Sequence, residues 1–321
     1  MIAAASQPAM HPISYSQGIV LGLLQGFSEL FPISSLGHAV VAPRLLGWNI
    51  HQNDKFFLAF LVAVHLATAI VLLGFFRRDW VRVVTGIGRS LRDREISDAD
   101  ARLGWLLVVG TIPAGILGLL LQDPLRKVFA SATSAAIFLI VNGGLLFAAE
   151  RLRRRAPQAA RGGTSAEGRT DAERRTDAEG RTDAEGRADA DHRIADRVSW
   201  RQAAGVGAAQ ALALIPGISR AGVTMGGGLF VGLNNEDAAK FAFLLATPII
   251  GAAAALKLPD LFGKAGNGVR GPALVAALCA AVTAYLSVRF LMRFFETNRL
   301  TPFAIYSTVA GILLTIGFLI T

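Results

Sequence analysis

Residues 25–38 read Q-G-F-S-E-L-F-P-I-S-S-L-G-H. The stretch sits in strongly apolar surroundings, yet it holds a carboxylate (Glu29), two serines (Ser34 and Ser35) and an imidazole (His38). A charged group at the bilayer centre costs about 2.5–3.5 kcal/mol on insertion scales, so it is kept where it binds or reacts with something. Pro32 and Gly37 interrupt any single spanning helix. Ionisable groups on a broken helix at membrane depth mark a binding or reaction site, not a lipid-facing wall.

A second copy of the stretch lies 185 residues further on, where Gln25, Ile33, Ser34 and Gly37 fall on Gln210, Ile218, Ser219 and Gly222. Gly47, Asn49 and Lys55-Phe56 then fall on Gly232, Asn234 and Lys240-Phe241 without a gap. In the second copy Ser35 becomes Arg220, while Glu29 and His38 become Leu214 and Val223. One half carries acid, hydroxyl and imidazole; the other carries the guanidinium. The pattern is that of a duplicated fold whose halves have specialised.

The 321 residues are 53% hydrophobic and only 17% charged, with a mean hydropathy of +0.47. Several apolar runs suffice to cross a hydrocarbon core of about 30 Å, so the chain reads as an integral membrane protein. The net charge of +9 lies in arginine-rich connections, and positive-inside orientation explains it without nucleic acid. Cys279, the one cysteine, excludes an internal disulfide and a four-cysteine zinc site. The first apolar segment contains Gln25 and Glu29 and lacks a basic lead, so no cleavable signal is expected.

In order along the chain, residues 13–31 and about 36–47 form two short helices around the Pro32–Ser35 break, a re-entrant hairpin. Spans follow near 56–76, 103–122 and 133–150, with a short Gln122–Lys127 turn between the last two. The loop 77–102 carries seven arginines, which marks it as cytoplasmic. Residues 151–198 are different material: a basic start, then the hexads R-T-D-A-E-R (169–174), R-T-D-A-E-G (175–180, 181–186) and R-A-D-A-D-H (187–192). Without aromatics this segment reads as a disordered, charge-balanced linker between the repeats. A second hairpin occupies 199–232, broken at Pro216-Gly217, before spans near 236–256, 271–291 and 301–320. Each repeat is thus one hairpin plus three spans. Three is odd, so the expected fold is all-α with two inverted repeats, whose hairpin tips meet near the midplane.

Gln25 and Glu29 share a helix face and make a ligand pair suited to Mg²⁺ or Ca²⁺, or else Glu29 simply bonds the returning loop. Ser34 and Ser35 precede a helix, where a serine is most often an N-cap; the sharper reading is an anion site whose serine is, or orients, the nucleophile. A lone histidine is most often structural, but His38, one turn on and beside the serines and Glu29, suits a general acid or base. In P-G-I-S-R-A-G-V-T (216–224), Gly217 and Gly222 let backbone amides approach an anion, and Arg220 suits phosphate, or else pairs with Glu29. His65, inside the span 56–76, either lines the cavity or is a satisfied core histidine, the more frequent role.

These two motifs resemble the (E/Q)-x-x-x-E plus P-x-S-S-x-G-H and the P-G-x-S-R-S-x-x-T signatures of the bacterial undecaprenyl-diphosphatase, or bacitracin-resistance, family. The likeness runs through nearly the whole chain outside 156–197, including the closing P-F-A-I-Y at 302–306. It implies an inner-membrane phosphatase that converts undecaprenyl diphosphate to undecaprenyl phosphate and inorganic phosphate, recycling the lipid carrier of cell-wall synthesis. It also implies a divalent cation held by Glu29 and Gln25, and a site open to the outer face. Residue by residue, the nucleophile falls on Ser35 beside Ser34, the histidine on His38, and the diphosphate-binding arginine on Arg220, flanked by Ser219 and Thr224. Two positions depart from the pattern: Gln25 stands where Glu is frequent, and Ala221 replaces the second motif's second serine. The competing class is a lipid-phosphate transporter, since inverted repeats with broken helices are also a transporter architecture. A homodimer is compatible with either.

Overall fold

The computed structural model describes residues 13–50, 54–129, 131–155 and 183–320, and within them the chain is all helix and connection. The helices run α1 (Tyr15–Ser28), α2 (Ser35–Leu45), α3 (Lys55–Phe75), α4 (Arg77–Asp93), α5 (Ala99–Phe129) and α6 (Ala132–Arg155). They continue as α7 (Asp183–Arg197), α8 (Trp200–Ala209), a 3₁₀ turn (Gln210–Leu214), α9 (Arg220–Phe230), α10 (Asn235–Phe262), α11 (Arg270–Thr297) and α12 (Thr301–Ile320). Six of these, α3, α5, α6, α10, α11 and α12, are long and apolar enough to cross a membrane. The protein is a multi-pass, all-α membrane protein.

The 185-residue offset recurs in the local chemistry. Ser14 and Ser199 each open a helix through a capping box, with Gln17 and Gln202 bonding back to the serine amide. Ser34 and Ser219 then cap α2 and α9 through the N–H groups of Gly37 and Gly222. Both of those helices are 11 residues long, and neither is among the candidate spans. α1 lies on α11 through small residues: a Cβ on Gly22 would stand 2.3 Å from the Ala276 carbonyl oxygen. That close approach seats the first hairpin against a spanning helix.

Three expectations need correction. The arginine-rich 77–102 segment is not a loop, because α4 fills most of it with an amphipathic helix. Val81, Val84 and Leu91 share its exposed face while Asp79, Val83 and Ser90 face inward, the pattern of a helix lying in the membrane surface. Gln122–Lys127 is not a turn either; α5 continues to Phe129 through Pro113 and Pro124.

The 151–198 linker is shorter than its composition implied. α6 extends through Arg155, and residues 183–197 form α7, while 156–182 lie outside the described residues. α7 docks with little apolar area: Ala190, Ile194 and Ala195 are buried, and the rest is ionic. Asp191 meets Lys240 (2.6 Å) and Arg82, and Arg193 holds Asp237 through two bonds of 2.8 and 2.6 Å. Lys240 also pairs with Asp79 at 2.9 Å, so one buried cluster joins α4, α7 and α10. A composition rule that weighs only apolar burial misses a helix held this way.

Candidate active site

The two hairpin tips touch. Ser34 is both the cap of α2 and the junction, its hydroxyl accepting from Gly37 and Gly217 amides at 3.2 Å each. Ser34 carries φ of +71°, a costly backbone state for a residue other than glycine, and such strain is concentrated at functional sites. Opposite it, Gly217 adopts φ of +104°, and a Cβ there would lie 2.4 Å from the Ala135 carbonyl oxygen, so only glycine lets the second tip close on α6.

A cavity of about 150 Å³ opens beside this junction, lined from the first hairpin by Glu29, Ser34 and Ser35 and from the second by Ser219 and Arg220. Glu29 is buried, and its Oε2 gathers three partners. Ser35 Oγ donates to it in a short contact, Gln25 Nε2 donates at 3.0 Å, and His65 Nε2 lies 3.5 Å away. His65 Nδ1 stands 2.8 Å from the Leu61 carbonyl, which can only accept, so Nδ1 bears a hydrogen and the ring is fixed with Nε2 toward Glu29. Of the two readings the sequence left for His65, the cavity residue is the one the structure shows. Gln122 of α5 also lines the cavity, as do Phe57, Leu58 and Leu61 on its apolar side.

Arg220 opens α9 at the cavity edge, and its guanidinium makes no ion pair or hydrogen bond among the described residues. The pairing with Glu29, weighed from the sequence as an alternative, is not formed. A guanidinium at hairpin-tip depth, left with its five donors unspent, faces the cavity that Ser35 faces from the other hairpin.

Other expected site residues are placed elsewhere. His38 does not line the cavity: its Nδ1 lies 2.7 Å from the Ser34 carbonyl and its Nε2 2.9 Å from Tyr306 Oη on α12. Its helix carries the ring away from the tip, against α12. The amides of Gly217 and Gly222 are already taken by Ser34 and Ser219 hydroxyls (3.2 and 3.1 Å), so they close the tips and are not spare donors for an anion. Thr224 is buried and bonds back to the Arg220 carbonyl at 2.8 Å.

Gln25 and Glu29 lie together as their spacing implied. The Oε1 atom of Gln25 is buried without a hydrogen-bond partner among the described residues, and Gln25 stands behind Glu29 without lining the cavity itself. No cluster of three or more His, Cys, Asp or Glu side chains that could hold a metal ion exists among the described residues.

Comparison with known proteins agrees in extent with this architecture. The family model described as Bacitracin resistance protein BacA matches residues 18–313. A Frankia alni protein named undecaprenyl-diphosphatase 2 is 46% identical over 344 aligned residues, covering 97% of this chain and all of the relative. A Mycolicibacterium paratuberculosis undecaprenyl-diphosphatase is 48% identical, covering 93% of this chain and 95% of its own length. A Burkholderia ambifaria undecaprenyl-diphosphatase 2 is 40% identical over 92% of this chain and 93% of itself. The match runs from the first hairpin into the last helix, and the chain belongs to the BacA family of bacitracin resistance proteins.

Proposed function

We propose that this protein is a membrane phosphatase that hydrolyses undecaprenyl diphosphate to undecaprenyl phosphate and inorganic phosphate, and so returns the cell-wall lipid carrier to use. The observation that carries the reading is the Ser35 hydroxyl bonded to buried Glu29 in a cavity that Arg220 enters from the opposite hairpin. The relatives' names point to the same substrate.

In this reading the two repeats are inverted, the protein lies in the inner membrane, and the cavity opens to the outer face. The cavity has room for a headgroup but not for a long prenyl chain, so the tail leaves along Phe57, Leu58 and Leu61. Arg220 binds the terminal phosphate through its fork of donors, and the N-termini of α2 and α9 add positive partial charge. Ser35 Oγ attacks the terminal phosphorus and gives its proton to Glu29, which His65 holds in place. The bond from phosphorus to the bridging oxygen breaks, undecaprenyl phosphate departs, and water then hydrolyses the phosphoserine to free Ser35 and inorganic phosphate. His38 braces the tip through Ser34 instead of handling the proton, a change from the role its spacing implied. Positioning and charge stabilisation supply most of the acceleration, as in phosphoryl transfer generally.

The residues present fit the divalent cation the resemblance implies. Glu29 and the orphan Gln25 oxygen would hold it, with water and substrate oxygens filling the other positions as Mg²⁺ requires. Bound there, the cation would neutralise charge on the diphosphate. Because Gln25 offers a neutral oxygen, Gln25→Glu should lower the Mg²⁺ concentration for half-maximal activity several-fold; an unchanged or raised value would remove residue 25 from the cation site.

The test is phosphate release from undecaprenyl diphosphate by purified protein in detergent, with Mg²⁺ or Ca²⁺ and then with EDTA. Cation-dependent release is expected, along with a phosphoserine trapped by acid quench at residue 35. Full activity in Ser35→Ala would replace serine attack by direct attack of water. No release by well-folded protein would favour the transporter.

A further inference from the structure

α6 crosses between the two hairpins with one polar side chain aimed at both tips. Asn142 is 1% exposed, yet its amide makes three bonds. Nδ2 donates to the Pro32 carbonyl of the first tip at 2.9 Å and to Ser307 Oγ of α12 at 3.2 Å, while Oδ1 accepts from the Ser219 amide of the second tip at 2.9 Å. The orientation is forced by the partners: the Pro32 carbonyl can only accept and the Ser219 amide can only donate, so reversing the amide would break both bonds. The next residue, Gly143, lets α12 come in; a Cβ there would stand 2.1 Å from Thr308 Oγ1 and 2.8 Å from the Ala304 carbonyl oxygen.

We propose that Asn142 is the positioning residue that fixes the attacking half of the site against the phosphate-binding half. The inference rests on the phosphatase reading for its kinetic consequence, though not for the tie itself. Pro32 is three residues from both Glu29 and Ser35, and Ser219 precedes Arg220. A single amide therefore sets the separation between the hydroxyl that attacks and the guanidinium that holds its target. Two direct contacts also join the tips, Ser34 Oγ to the Gly217 amide and a long 3.5 Å contact from Ser219 Oγ to the Phe31 carbonyl. Neither anchors the pair to a spanning helix. Asn142 touches no cavity-lining carboxylate or guanidinium, so its action is through geometry.

The experiment compares Asn142→Leu, Asn142→Asp and Ser307→Ala with wild type, scoring kcat and KM per folded molecule and amide hydrogen exchange at the second tip. Asn142→Leu removes every bond of the amide. It should lower kcat about 10²-fold, the scale of a misplacement near 1 Å. Its KM should stay within about threefold, because Arg220 still binds phosphate. Exchange at the Ser219 amide should quicken about tenfold or more. Asn142→Asp keeps the acceptor for Ser219 and loses the donor for Pro32, so its kcat should lie between; it also serves if the leucine variant does not fold. Ser307→Ala spares both tip bonds and should stay within about threefold of wild type.

Wild-type kcat per folded Asn142→Leu molecule, whatever its thermal midpoint, would overturn the proposal. So would a loss in Ser307→Ala as large as in Asn142→Leu. Should wild type release no phosphate at all, the phosphatase reading falls by itself. The tie is then judged on exchange alone, and unaltered protection at Ser219 in both Asn142 variants would reject it.

Discussion

Arg220→Ala is expected to lower kcat for phosphate release by at least about 10³-fold, the range found when a charged or oxyanion-stabilising donor is lost from acyl or phosphoryl transfer. Among the described residues Arg220 is the one guanidinium that lines the cavity, whose lining otherwise offers a carboxylate, hydroxyls, an amide and the His65 ring turned to Glu29. The same variant should keep its thermal midpoint or raise it. Arg220 makes no close ion pair among the described residues and acts on Glu29 only at longer range, while Glu29 keeps Ser35, Gln25 and His65, so alanine costs the resting fold little. Activity falling while stability holds is the mark of a group kept for its ligand. Arg220→Lys preserves the charge but loses the planar fork, and an intermediate loss of about 10–100-fold is expected. Steady-state rates with saturating cation, beside thermal unfolding of the same preparations, measure all three. A destabilised Arg220→Ala, or one within tenfold of wild-type kcat, would sink the role assigned here.

What the sequence disclosed was what lies close along the chain or repeats within it. Glu29 and Ser35 are six residues apart across one break, so their meeting followed from the hairpin. The 185-residue offset placed Ser219 and Arg220 against Ser34 and Ser35, and the two serines make the same capping bond, although Ser34 has positive φ and Ser219 does not. What stayed hidden lies on spanning helices that are apolar nearly all round, where no hydrophobic stripe says which face turns inward. His65, Gln122 and Asn142 are of this kind, each brought to the hairpins by packing between distant segments. A cue existed for all three: a polar side chain inside an apolar span is a functional candidate before it is anything else. His38 misled for the opposite reason. Its spacing from Ser35 was favourable, but its ring turns to Tyr306 on α12, a residue 268 positions away.

Lys240→Met should destabilise the fold by about 3–5 kcal/mol, the cost of stranding buried charge when one partner of an ion cluster is removed. Lys240, Asp79 and Asp191 are all fully buried, and Lys240 bridges the two carboxylates at 2.9 and 2.6 Å. Arg82 completes the cluster, 3.0 Å from Asp79 and in close contact with Asp191, and it also reaches Asp100 of α5 at 3.5 Å, so two bases face two buried acids and a third at the edge. Burial works against ionisation of Asp79, but Lys240 and Arg82 outweigh it and hold its carboxyl below the usual carboxylate range. A group lowered in this way stabilises the fold above its unfolded pKa of about 3.9, and the contribution fades as acid protonates it. Burial and the neighbouring Asp79 push the Asp191 carboxyl up even with Lys240 beside it, so removing Lys240 leaves Arg82 alone to face both buried acids. Neutralising one acid as well, in Lys240→Met with Asp191→Asn, leaves the Asp79–Arg82 pair balanced and should recover most of the loss. Thermal unfolding in detergent checks both, with the single variant expected to melt about 10 °C lower. A fall equally deep in the double variant would mean that α7 docks by shape and not by charge balance; no fall in the single variant would mean that the cluster stays solvated and contributes little to holding the two halves together.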